Sequence, residues 1–462
     1  MPLAFTQHRH YPIGEGLPGK ERVSALLAVL LAVCVASLDT AIANTALPTI
    51  AASLQTSDAS SIWVVSIYQM AMVAGLLPAA SLGEVLGHRR VFMVGLVVFT
   101  IASLACGLAP SLPWLVGARL VQGLGAAGVM AVNGALLRHI YPAASLGRGM
   151  GTNAMVVGLS FAAGPTAASA VLAFTSWHWL FLINVPLCLA AMYFALRGLP
   201  PTGRAEYRFD AVAAGLCAAV LGLLVLGIGE GAHQATWQTV AVELGVAAVG
   251  LALLMWRQAG HPAPMLAVDL LRRPVFALSA ATAVCSFAAQ GLAFVSLPFM
   301  LQSVLGYSQV DTGFLITPWP VLVAALAPIA GRLSDRYPAG VLGSGGLAVL
   351  SLGLVLLATM PATPSVVDIV WRMAVCGAGF GFFQSPNLRA IMSAAPPSRS
   401  GGASGIIATV RLLGQAIGAA LVAACFHVST VNGAVMALWL GAASAGIGAL
   451  LSLARLRFRA NA

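Results

Sequence analysis

Apolar stretches of about twenty residues recur from one end of this 462-residue chain to the other. At ~1.5 Å of rise per residue, each is long enough to cross the hydrocarbon of a bilayer as a helix. Fourteen such segments lie at roughly 24–46, 61–84, 91–109, 113–137, 149–173, 177–197, 210–229, 237–256, 274–301, 311–331, 341–360, 365–392, 402–426 and 431–454. Glycine and proline interrupt many of them, which membrane helices tolerate. The chain therefore reads as an all-α integral membrane protein in contact with a lipid bilayer. Composition agrees: 60% of residues are hydrophobic, 8% are charged and the mean hydropathy is +0.93, more apolar surface than a soluble core of this size can use.

The formal charge of +10 does not mark a nucleic-acid binder, because the positive residues are scattered singly or in pairs with no interleaved aromatics. Their placement fixes topology instead. Lys20 and Arg22 precede the first segment. Arg89 and Arg90 follow the second, Arg138 and Arg148 the fourth, and Arg197, Arg204 and Arg208 the sixth. The pattern continues through Arg257, Arg332, Arg399 and Arg455 after every even segment, while the loops on the other side hold no Lys or Arg. This is the positive-inside pattern, and it predicts an even number of spans with both termini cytoplasmic. The tail Met1–Glu21 lacks the layout of a cleaved signal peptide. The seven cysteines all fall in apolar segments without metal or redox spacing and read as small core residues.

One pattern occurs twice. Leu47-Pro48 recurs as Leu297-Pro298, the run ending in Glu84 recurs as one ending in Asp335, and Arg119 recurs as Arg372, at separations of 250, 251 and 253 residues. A nearly constant offset implies two structural repeats, and in a membrane protein such repeats imply two bundles rocking about a central site. Six helices need only about 180 residues here, so the surplus around 199–272 is read as two inserted helices, the second bounded by Trp237 and Trp256. The expected layout is a tail at 1–23, a six-helix bundle at 24–198, the linker with its two helices at 199–272, a second six-helix bundle at 273–456 and a tail at 457–462. The second repeat has no acid at the place matching Asp39, where Ala289 or Gln290 stands.

Ionisable groups at membrane depth are costly and therefore candidates for function. Asp39 lies about 25 Å along the first helix at ~1.5 Å per residue, with no Lys or Arg one turn away. It reads either as a carboxylate hydrogen-bonded between helices or as a proton carrier that loads and unloads during a cycle. Arg119 reads either as a static partner of Asp39 or as the charge that tunes it, with Gly123 and Gly125 allowing close helix approach. Arg372 and Arg411 are taken to lack a nearby acid and to pin helices in the second bundle. Glu243 and Glu230 are possible secondary acidic sites; Glu230, Asp311 and Asp368 lie near outer helix ends, where solvation is cheap. His178, between Trp177 and Trp179, reads as interfacial. Glu84 with Arg89, and Asp335 with Arg336, are expected to form conformational latches at helix ends, the carboxylates accepting from the N-terminus of a neighbouring helix. Gly164-Pro165 predicts a kinked, tightly packed fifth helix. No nucleophile–base constellation, phosphate loop or metal cluster is legible, so neither an enzyme, a cofactor nor a metal is expected.

These residues resemble the major facilitator superfamily, and within it the fourteen-helix drug:proton antiporters. The resemblance runs from Ser24 to near the end. Leu38-Asp39-Thr40 through Leu47-Pro48 is similar to that family's first-helix motif, Leu115, Arg119, Gln122, Gly123 and Gly125 to its fourth-helix motif, Gly164-Pro165 to its fifth-helix antiporter motif, and Trp177-His178-Trp179 through Asn184-Val185-Pro186 to the start of its sixth helix. Two departures stand out. Val85 removes a charge from the first loop motif, which predicts a weaker latch on that side, and Ser160, Ala168 and Ser169 stand where the family prefers glycine. The resemblance implies a major facilitator fold, proton coupling through Asp39 and Arg119, and export of a bulky amphipathic, often cationic organic compound by a monomer driven by the proton gradient. A narrow exporter of an endogenous metabolite or antibiotic, and a membrane sensor that transports nothing, are the competing readings.

Overall fold

Backbone groups withdrawn from water must bond within their own segment, and the chain meets that demand with helices throughout. The computed structural model describes residues 15–459, apart from 57, 62, 232–236, 262, 267, 308, 362 and 430–431, and among the described residues there is no strand. The long helices are α1 (Gly19–Ser53), α2 (Trp63–Leu86), α3 (His88–Gly107), α4 (Leu112–Ile140), α5 (Leu146–Phe174), α6 (His178–Gly198), α7 (Ala211–Gly231) and α8 (Trp237–Arg257). They continue as α9 (Pro274–Phe299), α10 (Asp311–Ser334), α11 (Ala339–Ala358), α12 (Val366–Ala394), α13 (Ser400–Val428) and α14 (Gly433–Arg459). Ten of them, α1–α4, α6, α9–α12 and α14, are long and apolar enough to cross a membrane.

Local sequence explains several ends and breaks. Ser365 accepts from the Asp368 N–H at 3.1 Å and caps α12, while Pro113 and Pro274 occupy the first turns of α4 and α9, where no N–H is needed. Pro298, near the end of α9, is followed by a wide π-turn at Met300–Val304. A turn at Thr317, just before Pro318, breaks α10 near its start.

Two helix groups result. In the first, α1 packs on α5 and α6, α3 on α4 and α2 on α4; in the second, α9 packs on α13 and α14, α11 on α12 and α14, and α10 on α12. The groups meet mainly along α5–α10 and α2–α13, pairs that the sequence repeat relates to each other, while α7 and α8 pair together with α7 resting on α2. Close approach depends on missing side chains. A Cβ at Gly125 would stand 2.5 Å from the Phe99 nitrogen, and one at Gly151 would stand 2.6 Å from the Ala327 carbonyl across the two groups. The outer surface is apolar: on α3 and its C-terminal cap, Val94, Val97, Ile101, Leu104 and Leu108 form an exposed stripe at alternating three- and four-residue spacing. A soluble protein would bury such a stripe, so it marks the lipid-facing side.

Candidate functional site

Asp39 and Arg119 are brought together. The carboxylate on α1 accepts from Arg119 Nη1 on α4 at 2.5 Å, from Asn184 Nδ2 on α6 at 2.8 Å and from Gln122 Nε2 at 3.1 Å. Neither charged side chain is more than 1% exposed. Three donors compensate a carboxylate that burial alone would strand. Arg119 is held as firmly: Nε donates to the Val64 carbonyl at 3.0 Å, Nη1 also reaches Gln122 Oε1 at 2.7 Å, and the guanidinium lies 4.0 Å from the Tyr68 ring centroid. Gln122 closes the cluster by donating to Ser103 Oγ on α3 at 2.8 Å.

Helix geometry puts these groups in one place. Gln122 follows Arg119 by three residues and shares its face, and Gly123 lets α4 approach α2 so closely that a Cβ there would stand 2.5 Å from the Tyr68 carbonyl oxygen. On α5, Gly164 lies against Ala41, two residues from Asp39, so the fifth helix seals the first. The Pro165 side chain lies outside the described residues.

Beside this cluster, a cavity of about 590 Å³ opens between the two helix groups. Ala36, Ser37 and Thr40 of α1 line it, whereas Asp39 turns towards α4 and α6. The walls combine aromatic rings, Phe161, Phe287, Phe294, Trp319 and Phe380, with the amides of Gln69, Gln290, Gln384 and Gln415. Arg411 is the one ionisable residue lining it among the described residues.

At the end that carries the α2–α3, α4–α5, α10–α11 and α12–α13 loops, two related carboxylates tie the helix groups together. Glu84, at the end of α2, accepts from the Gly402 N–H in the first turn of α13 at 2.6 Å, from Arg399 Nη1 at 2.6 Å and from the Tyr207 hydroxyl. Asp335, at the end of α10, accepts from the Gly147 N–H in the first turn of α5 at 3.0 Å. Both carboxylates sit where a helix N-terminus favours negative charge. Their cationic partners differ from those expected. Arg399, not Arg89, pairs with Glu84, and Arg389, not Arg336, pairs with Asp335 at 3.4 Å. Arg89 turns towards the Leu196 carbonyl, and Arg336 is exposed. The reason is reach: the residues after each carboxylate continue past the helix end, while Arg399 enters from the start of α13 and Arg389 from the last turns of α12. Nor does Val85 leave the first latch poor in contacts. Arg399 also grips Asp269 with two bonds of 2.9 and 3.0 Å and donates to the Pro264 carbonyl at 3.0 Å, so the segments flanking α7 and α8 join the closure. Burial works against the Arg399 charge, but Asp269 and Glu84 outweigh it and hold the guanidinium above its ordinary range. Burial, reinforced by the Glu84 charge, pushes the Tyr207 phenol up.

The remaining candidates separate. Arg372 has an acid after all: Asp368, four residues earlier, pairs with it at 3.1 Å, and Arg372 also donates to the Leu356 carbonyl. Arg411 has neither a hydrogen bond nor an ion pair among the described residues, so no contact supports the pinning role expected for it. Asp311 is exposed at the start of α10. His178 stacks on the buried Trp177 with ring centroids 3.7 Å apart, while Trp179 is exposed. Glu230 and Glu243 fall on α7 and α8, but their side chains lie outside the described residues. Sequence reasoning named Asn184 only within the motif at the start of the sixth helix and did not single out Tyr68 or Ser103. It also passed over Arg455, a buried cation held by neutral partners, Asn387 at 2.7 Å and Ser279 at 2.9 Å. Gln122 was accessible from its three-residue spacing to Arg119; the others come together only through tertiary packing.

The model of the Major Facilitator Superfamily matches residues 29–419. The chain belongs to that superfamily. Among its relatives within the superfamily, it is 50% identical over 440 residues to the uncharacterized transporter YebQ of Escherichia coli, covering 95% of this chain and 96% of that one. It is 33% identical over 429 residues to the multidrug resistance protein Stp of Mycobacterium tuberculosis, covering 92% and 77%. The fold matches the solved proton:xylose symporter XylE with a TM-score of 0.65 at 13% identity, over 93% of this chain and 95% of that one. As a member of this superfamily the chain is a multi-pass membrane transporter of small molecules.

Proposed function

We propose that this transporter exports bulky amphipathic organic compounds in exchange for protons, across the inner membrane of a bacterial cell. Fourteen spans with both termini cytoplasmic, no cofactor and a single functional chain complete the proposal. The observation that carries it is the Asp39–Arg119 pair, buried and shared among α1, α4 and α6 while the adjoining face of α1 lines the cavity. A proton arriving at Asp39 cancels the charge that Arg119 holds. Arg119 then keeps Val64, Gln122 and the Tyr68 and Phe181 rings, and the contacts that hold Asp39 to α4 and α6 weaken. Because Ala36, Ser37 and Thr40 sit within one turn, the same movement reshapes the cavity wall. On this reading the latches at Glu84 and Asp335 close the cytoplasmic end, and cargo leaves from the opposite one. The multidrug resistance protein among the relatives supports export of drug-like compounds.

The test is Asp39→Asn in inside-out membrane vesicles energised with a proton gradient. Cargo addition is expected to release protons with the unaltered chain and to release none with the variant, in which Asn cannot take up a proton. Proton release of undiminished size in the variant would falsify the assignment.

A further inference from the structure

We infer that the central cavity takes an aromatic cargo bearing an oxyanion, such as a carboxylate, with Arg411 as its counter-ion. The inference rests on the reading above that this cavity is the cargo site, and it replaces the cationic cargo implied by the resemblance. Charge balance is the first argument. No acid lines the cavity among the described residues, and the nearby Asp39 is sequestered and already neutralised by Arg119.

The second argument is the state of Arg411 itself. Arg119, Arg372, Arg399 and Arg455 are each held by hydrogen bonds to protein acceptors. Arg411 makes no such bond among the described residues and lines both the main cavity and a small pocket of about 60 Å³ next to it. A guanidinium at membrane depth that is not satisfied by protein is left for a ligand to satisfy. Its planar fork suits the two oxygens of a carboxylate, and a cationic cargo would have to sit beside it uncompensated. The surroundings supply the rest of a binding site. Gln384 borders both spaces with Arg411, and Gln415, one turn along α13, bonds Gln290 at 3.1 Å and bridges the cavity floor. The aromatic walls and the cavity volume suit a drug-sized ring system.

The position of Arg411 also links the cargo to the ion pair. Arg411 lines the same cavity as Thr40, the α1 residue next to Asp39. A negative charge brought to Arg411 therefore enters the cavity that adjoins the Asp39–Arg119 cluster.

Two xanthene dyes of similar shape and opposite charge test the assignment: fluorescein, which carries a carboxylate, and rhodamine 6G, an ester and a cation. Binding to the purified full chain in detergent is measured by fluorescence anisotropy at pH 7.5 or so, without any gradient. Fluorescein is expected to bind at least ~tenfold more tightly than rhodamine 6G, to lose ~tenfold or more in Arg411→Gln and to be largely retained by Arg411→Lys. Rhodamine 6G is expected to bind Arg411→Gln no more weakly than the unaltered chain, which also reports that the variant is folded. Tighter binding of rhodamine 6G, binding of neither dye, or fluorescein binding indifferent to Arg411→Gln overturns the inference. Because no gradient enters this assay, loss of proton coupling leaves it unaffected. Arg411-dependent binding with uncoupled flux would overturn the export reading alone.

Discussion

Removing Arg399 should release the closed end of the transporter, and the structure sets the size of the effect. Glu84 is 3% exposed, and its carboxylate is shared among Arg399, the Gly402 N–H and the Tyr207 hydroxyl. Arg399→Ala leaves that carboxylate buried without its counter-charge, a change that costs ~3–5 kcal/mol in comparable buried pairs. The low end applies, because two hydrogen-bond donors remain on Glu84 and Asp269, with its side chain 32% exposed, returns to solvent at little cost. When the two halves separate, Glu84 gains water, so the full ~3 kcal/mol acts on the closed state and shifts the closed-to-open ratio by ~150-fold. A thiol beneath the latch reports this shift. Ala408 is 7% exposed and packs against Leu76, Ala80 and Ala131 across the interface between the halves. In an Ala408→Cys chain with its native cysteines replaced, a membrane-impermeant maleimide supplied from the latch side should react at least ~tenfold faster once Arg399→Ala is added. Arg399→Lys should fall in between, since an ammonium keeps the charge but cannot fork between Glu84 and Asp269. A change below ~threefold in a folded variant, judged by an unaltered thermal transition, refutes the argument that this pair holds the end shut.

Two further outcomes follow from the same geometry. Gly125→Ala places a Cβ 2.5 Å from the Phe99 nitrogen and 2.8 Å from its Cα, backbone atoms that cannot swing aside, so the α3–α4 contact should open at a cost of ~1–3 kcal/mol, read as a lowered thermal transition in detergent. Asp210 bonds Arg257 and caps the first turn of α7 through the Val212 and Ala213 N–H groups, with the Arg257 hydrogen bond foremost in holding its carboxyl below the usual range. A carboxylate with a depressed folded value stabilises the fold above its unfolded pKa of ~3.9 and loses that contribution as pH falls further. Exchange protection at the start of α7, measured against the intrinsic rate at each pH, should therefore fall below about pH 4, and Asp210→Asn should show the lower protection at neutral pH with little further change on acidification.

Much of this was readable in the sequence, for physical reasons that also explain the remainder. An ion at membrane depth stands out against an apolar background, which is why Asp39 and Arg119 could be picked out singly and why their meeting required no distant coincidence. The glycines at 123, 125 and 164 were readable because close helix approach has so few sequence solutions. The Arg372–Asp368 pair is equally readable, since four-residue spacing places both side chains on one helix face. Arg399 and Glu84 are different: they meet across 315 positions, and only the packing of α2 on α13 brings them within 2.6 Å. The bareness of Arg411 depends on the rotation of α13 about its axis, a degree of freedom that residue spacing along one helix leaves open.

The stretch joining the two halves gains significance from its contacts. The Tyr207 hydroxyl donates to the Glu84 carboxylate and the Ala205 N–H to the Glu84 carbonyl oxygen, Thr202 meets the Arg89 N–H, and Pro264 and Asp269 hold Arg399. A tether would merely keep two partners at a usable concentration. This one works as a clasp, fastened on one side by the strand of chain entering α7 and on the other by the chain leaving α8. Any force that tilts that helix pair, including a change in bilayer thickness around it, is delivered to both jaws at once.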